Sequence, residues 1–233
     1  MAKHHGPKNT TTGLIFCVDA ANSNSYPGSG SSWIDLMGNH GTLAMTGNTY
    51  DIASGGSIVF DGAIGSFAST TNTFTQYAEM TWDTWFNRTS AINVFNMVFS
   101  SNGLPYLGFR DANIPGVENK FIFSWWAGAQ RVISSPTPGT NNTWYNVTCT
   151  LKRDTLATTS TAAMYVNGVL VATSTTAPGT VDVIEQNGVM KLANYSGQAY
   201  PFNGKISMLK VYNRILTEKE IMRNYESHKS RFF

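Results

Sequence analysis

Residues 202–225, FNGKISMLKVYNRILTEKEIMRNY, constrain the fold more than any other stretch of this chain. Residues 205–212 alternate, with Ile206, Met208, Lys210 and Tyr212 on one parity, which predicts a strand. A break at Asn213-Arg214 follows, and then a complete helix start. Thr217 stands at N-cap and Glu220 at N3, a capping box in which each side chain satisfies a backbone N–H of the other. Leu216, one residue earlier, is placed to staple onto Ile221. Ile221 and Tyr225 lie four apart on one helix face beside Met222, so the helix is expected to dock through that face onto Leu216 and Tyr212. His228 is read as lying past the helix.

Upstream, short apolar runs recur between turn clusters. They fall at 57–60, 80–86, 93–99, 106–109, 120–125, 131–134, 145–152, 162–166, 169–173 and 189–193. β-branched and aromatic residues inside, with Gly, Pro and Asn between, predict a sandwich or barrel. Asn167-Gly168 joins two of these runs and predicts a two-residue type I′ hairpin, because both turn positions need positive φ. Pro136-Thr137-Pro138-Gly139 and Ala177-Pro178-Gly179 predict exposed loops. At 233 residues the chain reads as one domain, residues 13–233, behind a polar arm of residues 1–12.

Charged residues make up only 13% of the chain, about half the usual share, so Thr, Ser, Asn and Gly must build much of the surface. Little then repels a neighbouring copy, which suits packing into an assembly. Net charge is +2, and the cations are scattered without a basic stripe, so no nucleic-acid partner is expected. The leading MAKHHGPKNTTT lacks an apolar core, so no secretory signal is expected, and no run reaches the length of a membrane span. Cys17 and Cys149 sit in strand-like runs and read as buried thiols, with pairing left open.

Three groups of residues add a resemblance. Residues 13–43 place an apolar strand before Asp19-Ala20-Ala21-Asn22, a Gly/Ser/Pro loop, Trp33-Ile34-Asp35-Leu36 and a Gly38-Asn39 turn. Gly56-Ser57-Ile58-Val59-Phe60-Asp61-Gly62 and Met164-Tyr165-Val166-Asn167-Gly168 follow, and the strand-to-helix unit closes the chain. This pattern resembles the laminin G-like domains of the concanavalin A-like lectin/glucanase superfamily, of the kind carried by tailed bacteriophages. The resemblance implies an all-β, concanavalin A-like jelly-roll sandwich with a short C-terminal α-helix. It further implies a virion protein made in the host cytoplasm: a capsid decoration or head, neck or tail fibre component that binds other virion proteins and copies of itself. A lectin module for host-surface glycan is the alternative, and a polysaccharide hydrolase a distant third.

His4 and His5 lie in the arm and His40 in a turn, so no base stands beside a nucleophile. Related glucanases align alternating acids on one strand. Here Glu79 and Asp83 are four apart, roughly 13 Å along an extended chain, with Thr81 between them. That spacing does not suit two carboxylates flanking one glycosidic bond, and Trp85 reads as core. No catalytic residue is therefore expected. Contact with a glycan or a protein partner is assigned to Trp125, Trp126, Tyr195, Tyr200, Phe232 and Phe233. Of the two adjacent tryptophans at most one is core, because neighbours on a strand face opposite ways. No cofactor is expected. Calcium, bound at the rim of some laminin G-like domains, would find Asp35 and Asp61 as the nearest carboxylates in turns.

Overall fold

The computed structural model describes residues 8–91, 95–101, 105–110, 118–127, 129–153, 159–176, 188–195 and 200–233. The loop expected at Pro178-Gly179, the start of the run at 93 and residues 1–7 of the expected arm lie outside them. The first eight strands are β1 (Leu14–Asp19), β2 (Ser32–Ile34), β3 (Thr42–Thr46), β4 (Thr49–Asp51), β5 (Ser57–Asp61), β6 (Phe67–Thr70), β7 (Glu79–Ser90) and β8 (Phe95–Ser101). The next eight are β9 (Tyr106–Arg110), β10 (Lys120–Trp126), β11 (Gln130–Pro138), β12 (Trp144–Lys152), β13 (Thr161–Val166), β14 (Val169–Thr175), β15 (Met190–Leu192) and β16 (Asn203–Tyr212). The helix α1 spans Glu218–His228.

These strands make two antiparallel sheets. The first runs β14-β13-β12-β7-β16-β5-β4, with β1 also paired to β16; the second runs β11-β10-β9-β8-β15-β6-β3-β2. Alternate side chains of each sheet point into one shared core. Met80, Trp82 and Phe86 of β7 and Val147, Cys149 and Leu151 of β12 meet Phe99, Leu107, Phe109, Phe121, Phe123 and Trp125. Trp82 stacks on Phe99 with centroids 6.0 Å apart, and Phe86 meets Phe109 edge-on at 5.6 Å. Each fully buried ring of this kind contributes about 1.5–3 kcal/mol over leaving it in water. The fold is thus the expected concanavalin A-like sandwich with its helix.

The single parity expected along residues 205–212 fails at one point. Against β7 the register slips between Ile206 and Met208, so Ser207 is the extra residue of a bulge. Ile206 faces the core before the bulge, and Leu209 and Val211 face it afterwards. Met208, Lys210 and Tyr212 therefore turn to the outer face. Ser207 is paired sideways instead: its hydroxyl donates to the Gly56 carbonyl at 2.6 Å, and its own carbonyl accepts the Ala20 N–H at 2.9 Å.

Local signals hold elsewhere. Asn167 and Gly168 take φ of 52° and 79° between the paired Val166 and Val169, the hairpin turn predicted. The capping box forms, with the Thr217 N–H donating to Glu220 Oε2 at 2.9 Å and the Glu220 N–H donating to Thr217 Oγ1 at 3.4 Å. Leu216 and Ile221 pack with Tyr212 and Tyr165. Two readings need correction. His228 is the last residue of α1 rather than beyond it, because no Gly or Pro after Tyr225 stops the helix. Pro136 and Pro138 belong to β11, an edge strand, where a residue without an N–H costs no ladder bond.

Candidate functional site

Each sheet has an outer face, and the two differ in what lies over them. On the first sheet, Asp83, Trp85, Asn146, Thr148, Lys210 and Tyr212 point outward, and α1 with the last residues of the chain covers them. Asn146 Nδ2 and Thr148 Oγ1 donate to Asp83 Oδ1 at 2.6 and 3.2 Å, and Asn224 Nδ2 donates to Asp83 Oδ2 at 3.2 Å. Lys210 donates to Asn9 Oδ1 at 2.9 Å, and the Asn9 amide lies 3.2 Å from His228 Nε2. Tyr212 donates to the Thr10 carbonyl at 3.0 Å, so residues 9 and 10 are seated on this face too. Burial, reinforced by the charge of Lys210, pulls His228 down to about 4. Burial also lowers Lys210, partly offset by Asp83. Beside this layer Phe232 stacks on Trp85 with centroids 4.1 Å apart, and Tyr225 stacks on it at 5.6 Å. The face is closed.

On the second sheet the outward positions come from four adjacent strands. Cross-strand register sets Phe95 beside Arg110 beside Lys120, then Met97 beside Gly108 beside Ile122, then Tyr106 beside Ser124 beside Val132, with Trp126 beside Gln130 at the end. Gly108 leaves a dip in the middle; a Cβ there would meet Met97 Sδ at 2.9 Å and the Asn96 carbonyl at 2.6 Å. Two adjoining lobes of about 200 and 180 Å³ result. Phe95, Met97, Tyr106, Gln130, Tyr195 and Tyr200 line the first; Phe95, Tyr106, Arg110, Ile122, Gln130 and Val132 line the second.

The polar groups of this groove are held in place. Gln130 Nε2 donates to Tyr106 OH at 2.8 Å and to Ser124 Oγ at 3.1 Å. Burial raises the Tyr106 phenol above its ordinary value, against the opposing pull of its Ser124 and Gln130 bonds, so it stays neutral. Tyr106 meets Tyr195 edge-on at 5.7 Å, Tyr195 meets Tyr200 at 5.7 Å and Tyr200 meets Phe95 at 5.2 Å. One buried amide fixes the two loop tyrosines: Asn194 Oδ1 accepts the N–H of Tyr195 at 2.8 Å and of Tyr200 at 3.2 Å, while its Nδ2 donates to the Ile64 carbonyl. The Tyr200 carbonyl in turn accepts the Met97 N–H at 3.2 Å, next to the β8 bulge. Flat apolar rings with a few converging amide and hydroxyl groups suit a ligand that has an apolar face and polar edges, as a sugar ring does.

The residues expected from sequence fall in different places. Tyr195 and Tyr200 come together in the groove. Trp126 is on the same face, 38% exposed, at its Gln130 end. Trp125 points the opposite way into the core and is fully buried, so it drops out as a contact residue. Phe232 is spent on Trp85, and Phe233 is 68% exposed. Trp85 is buried as expected, but against α1 rather than between the sheets. Asp35 is a loop organiser: Oδ1 accepts the N–H of Cys17 and Met37 and Oδ2 those of Asn39 and His40, at 2.9–3.2 Å. Asp61 Oδ1 accepts the Ala63 N–H at 2.9 Å, a turn bond. Among the described residues no three His, Cys, Asp or Glu side chains gather as metal ligands. Glu79 pairs with Lys152 at 3.3 Å, while Asp83 is sealed under α1.

Cys17 and Cys149 are both buried and unpaired, on opposite faces of the first sheet. Burial pushes the Cys17 thiol up to about 11 and raises that of Cys149. Phe95, Tyr106, Arg110 and Gln130 escaped the sequence reading. They are spread over β8, β9 and β11, and only cross-strand register collects them.

A larger cleft, about 480 Å³, lies between the β13–β14 hairpin and α1. Tyr165, Gly168, Val169, Leu170 and Met222 line it, with Glu218 and Lys219. Among these lining residues the Tyr165 phenol is the single hydroxyl and no side-chain amide is present, whereas the groove on the second sheet brings an amide and three phenols together, so the groove is the better candidate despite its smaller volume.

A family model of laminin G type, described as the concanavalin A-like lectin/glucanases superfamily, matches residues 61–222. The chain belongs to this family. No curated protein matches the sequence of this laminin G-type domain. Among solved structures, domain 4 of AbnA, a GH43 extracellular arabinanase from Geobacillus stearothermophilus, in complex with arabinotriose, superposes with a TM-score of 0.68 at 15% identity, covering 91% of this chain and 98% of that one. Trypanosoma rangeli sialidase in complex with the inhibitor DANA gives 0.68 at 14%, covering 96% and 34%. The botulinum neurotoxin type G receptor binding domain gives 0.62 at 14%, covering 94% and 51%. The chain thus spans about half the length of the toxin domains it matches. At these identities the likeness is one of fold.

Proposed function

We propose that this domain is a carbohydrate-binding module that acts by binding rather than catalysis, and that the glycan lies in the groove of the second sheet. The observation that carries the reading is the convergence of Phe95, Tyr106, Tyr195 and Tyr200 around the fixed amide of Gln130. The rings would cover apolar sugar faces, and the amide and phenol would bond hydroxyls. Support comes from the fold shared with a domain captured with arabinotriose and with a toxin receptor binding domain. On the other sheet, Asp83, the acid that follows Glu79 on β7, is buried beneath α1.

The test is a glycan array followed by calorimetric titration of the best binder, with wild type and Tyr195→Ala. A bound glycan whose affinity falls ten-fold or more in the variant supports the reading. Binding that ignores Tyr195→Ala and Tyr106→Ala places the ligand elsewhere.

The virion setting rests on the resemblance of residues 13–43 and 202–225 to phage laminin G-like proteins. Trp126 and Val132, both exposed on the groove face, suit a protein contact there. Co-purification of the chain with phage particles tests that setting, and its absence from such particles removes it.

A further inference from the structure

We infer that the sugar held by this face is acidic, with its negative group set against Arg110 and Lys120. The inference rests on the glycan reading above and names the class of glycan. Arg110 of β9 is the direct cross-strand neighbour of Phe95 on β8 and of Lys120 on β10. Residues directly opposite in an antiparallel pair project from the same face, and like charges so placed repel. An opposite charge in place of either cation would stabilise the pair. Among the described residues, neither Arg110 nor Lys120 takes part in an ion pair. Glu118, the acidic residue two positions before Lys120, has an interaction of its own.

Arg110 is also held in a way that favours an incoming anion. Its guanidinium carbon lies 5.6 Å from the centre of the Phe95 ring, and its Nε is buried without a hydrogen-bond partner. It forms one wall of the 180 Å³ lobe, whose other walls, Phe95, Tyr106, Ile122, Gln130 and Val132, carry no charge. A guanidinium braced by an aromatic ring in an uncharged lobe is a planar fork waiting for two oxygens, and a carboxylate or sulfate supplies them. The neighbouring lysine adds a point charge. The dip at Gly108 lies between this cationic row and the Tyr106 row. A sugar ring resting there would direct its acid group to Arg110 and its hydroxyls to Tyr106 and Gln130.

The experiment is an array divided into carboxylate-bearing, sulfate-bearing and neutral glycans, read with wild type, Arg110→Gln, Arg110→Lys and Lys120→Gln. Expected are hits among acidic glycans, with the first two arms showing which acid is read. Affinity should weaken as NaCl rises from 0.05 to 0.5 M. It should fall about 10- to 100-fold in Arg110→Gln, less in Arg110→Lys, and least in Lys120→Gln. Thermal melting checks that each variant is folded; should Arg110→Gln unfold, Lys120→Gln and the salt series carry the test. Neutral glycans bound as tightly as their acidic counterparts, insensitive to salt and to Lys120→Gln, overturn the acidic class and leave the glycan reading standing. No binding on any arm overturns both.

Discussion

The outer faces of the two sheets begin with similar material and end in opposite states. One carries Trp85, Trp144, Asp83 and Asn146; the other carries Phe95, Tyr106, Ser124 and Gln130. On the first, the chain lays its own helix and tail across the row, with Phe232 at 4.1 Å from Trp85 and Asn224 bonded to Asp83. On the second, the aromatic row borders two lobes that no other described segment is seated in. Residue type therefore does not separate scaffold from site here. Coverage does: the chain's own helix and tail seat on one aromatic face and leave the other bordering a groove.

The comparison can be broken most directly through its two aromatic clusters. Trp85→Ala should cost about 3–5 kcal/mol, because a ring stacked by Tyr225 and Phe232 leaves a cavity the tail cannot fill. Tyr195→Ala, at the half-buried edge of the groove, should cost under about 1 kcal/mol while removing glycan affinity. Urea denaturation measures both. Equal losses of stability would mean that the groove is packed as scaffold.

A smaller effect should appear on acidification. The unfolded chain binds a proton at His228 near pH 6.5, whereas the folded chain holds off until about pH 4. Between those values the unfolded state carries more protons, so stability falls as pH drops, by up to about 1.4 kcal/mol per unit for one proton. Glu220 behaves differently. Its bidentate bond to Arg214 holds it down at about 2, so its contribution is intact at pH 6 and is lost only as pH falls below about 4.5 towards 2. Melting temperatures from pH 7 to pH 4.5 should therefore slope in wild type and flatten in His228→Gln. A matching slope in both would put the pH sensitivity outside the covered face.

The smallest change expected is from Thr217→Ala, which removes the capping box and costs about 1 kcal/mol without altering any binding constant. A change in glycan affinity on that substitution would couple the two faces and end their independence.

What the sequence revealed follows the range of the interactions. The Asn167-Gly168 hairpin and the Thr217–Glu220 box are settled within four residues, and both were legible. The bulge at Ser207 was not, because its partners are Gly56 and Ala20, brought alongside only when β5 and β1 share one flank of β16. β2, β3, β4 and β6 were missed for a related reason: they are three to five residues long and held by neighbours rather than by their own pattern. Tyr195 and Tyr200 were visible as two aromatics on one loop. Phe95, Tyr106 and Gln130 could be joined to them only through cross-strand register.

The helix and tail that close the first sheet also fix where the chain leaves the body. Asn9 is bonded to Lys210, and Phe233 lies 6.1 Å from the Trp85 ring, so residues 9 and 233 both lie on the same covered side. The groove looks out from the opposite side, across two sheets stacked about 10 Å apart. A bead or surface tethered directly after Phe233 would stand behind the sandwich and leave its aromatic face turned to the surroundings.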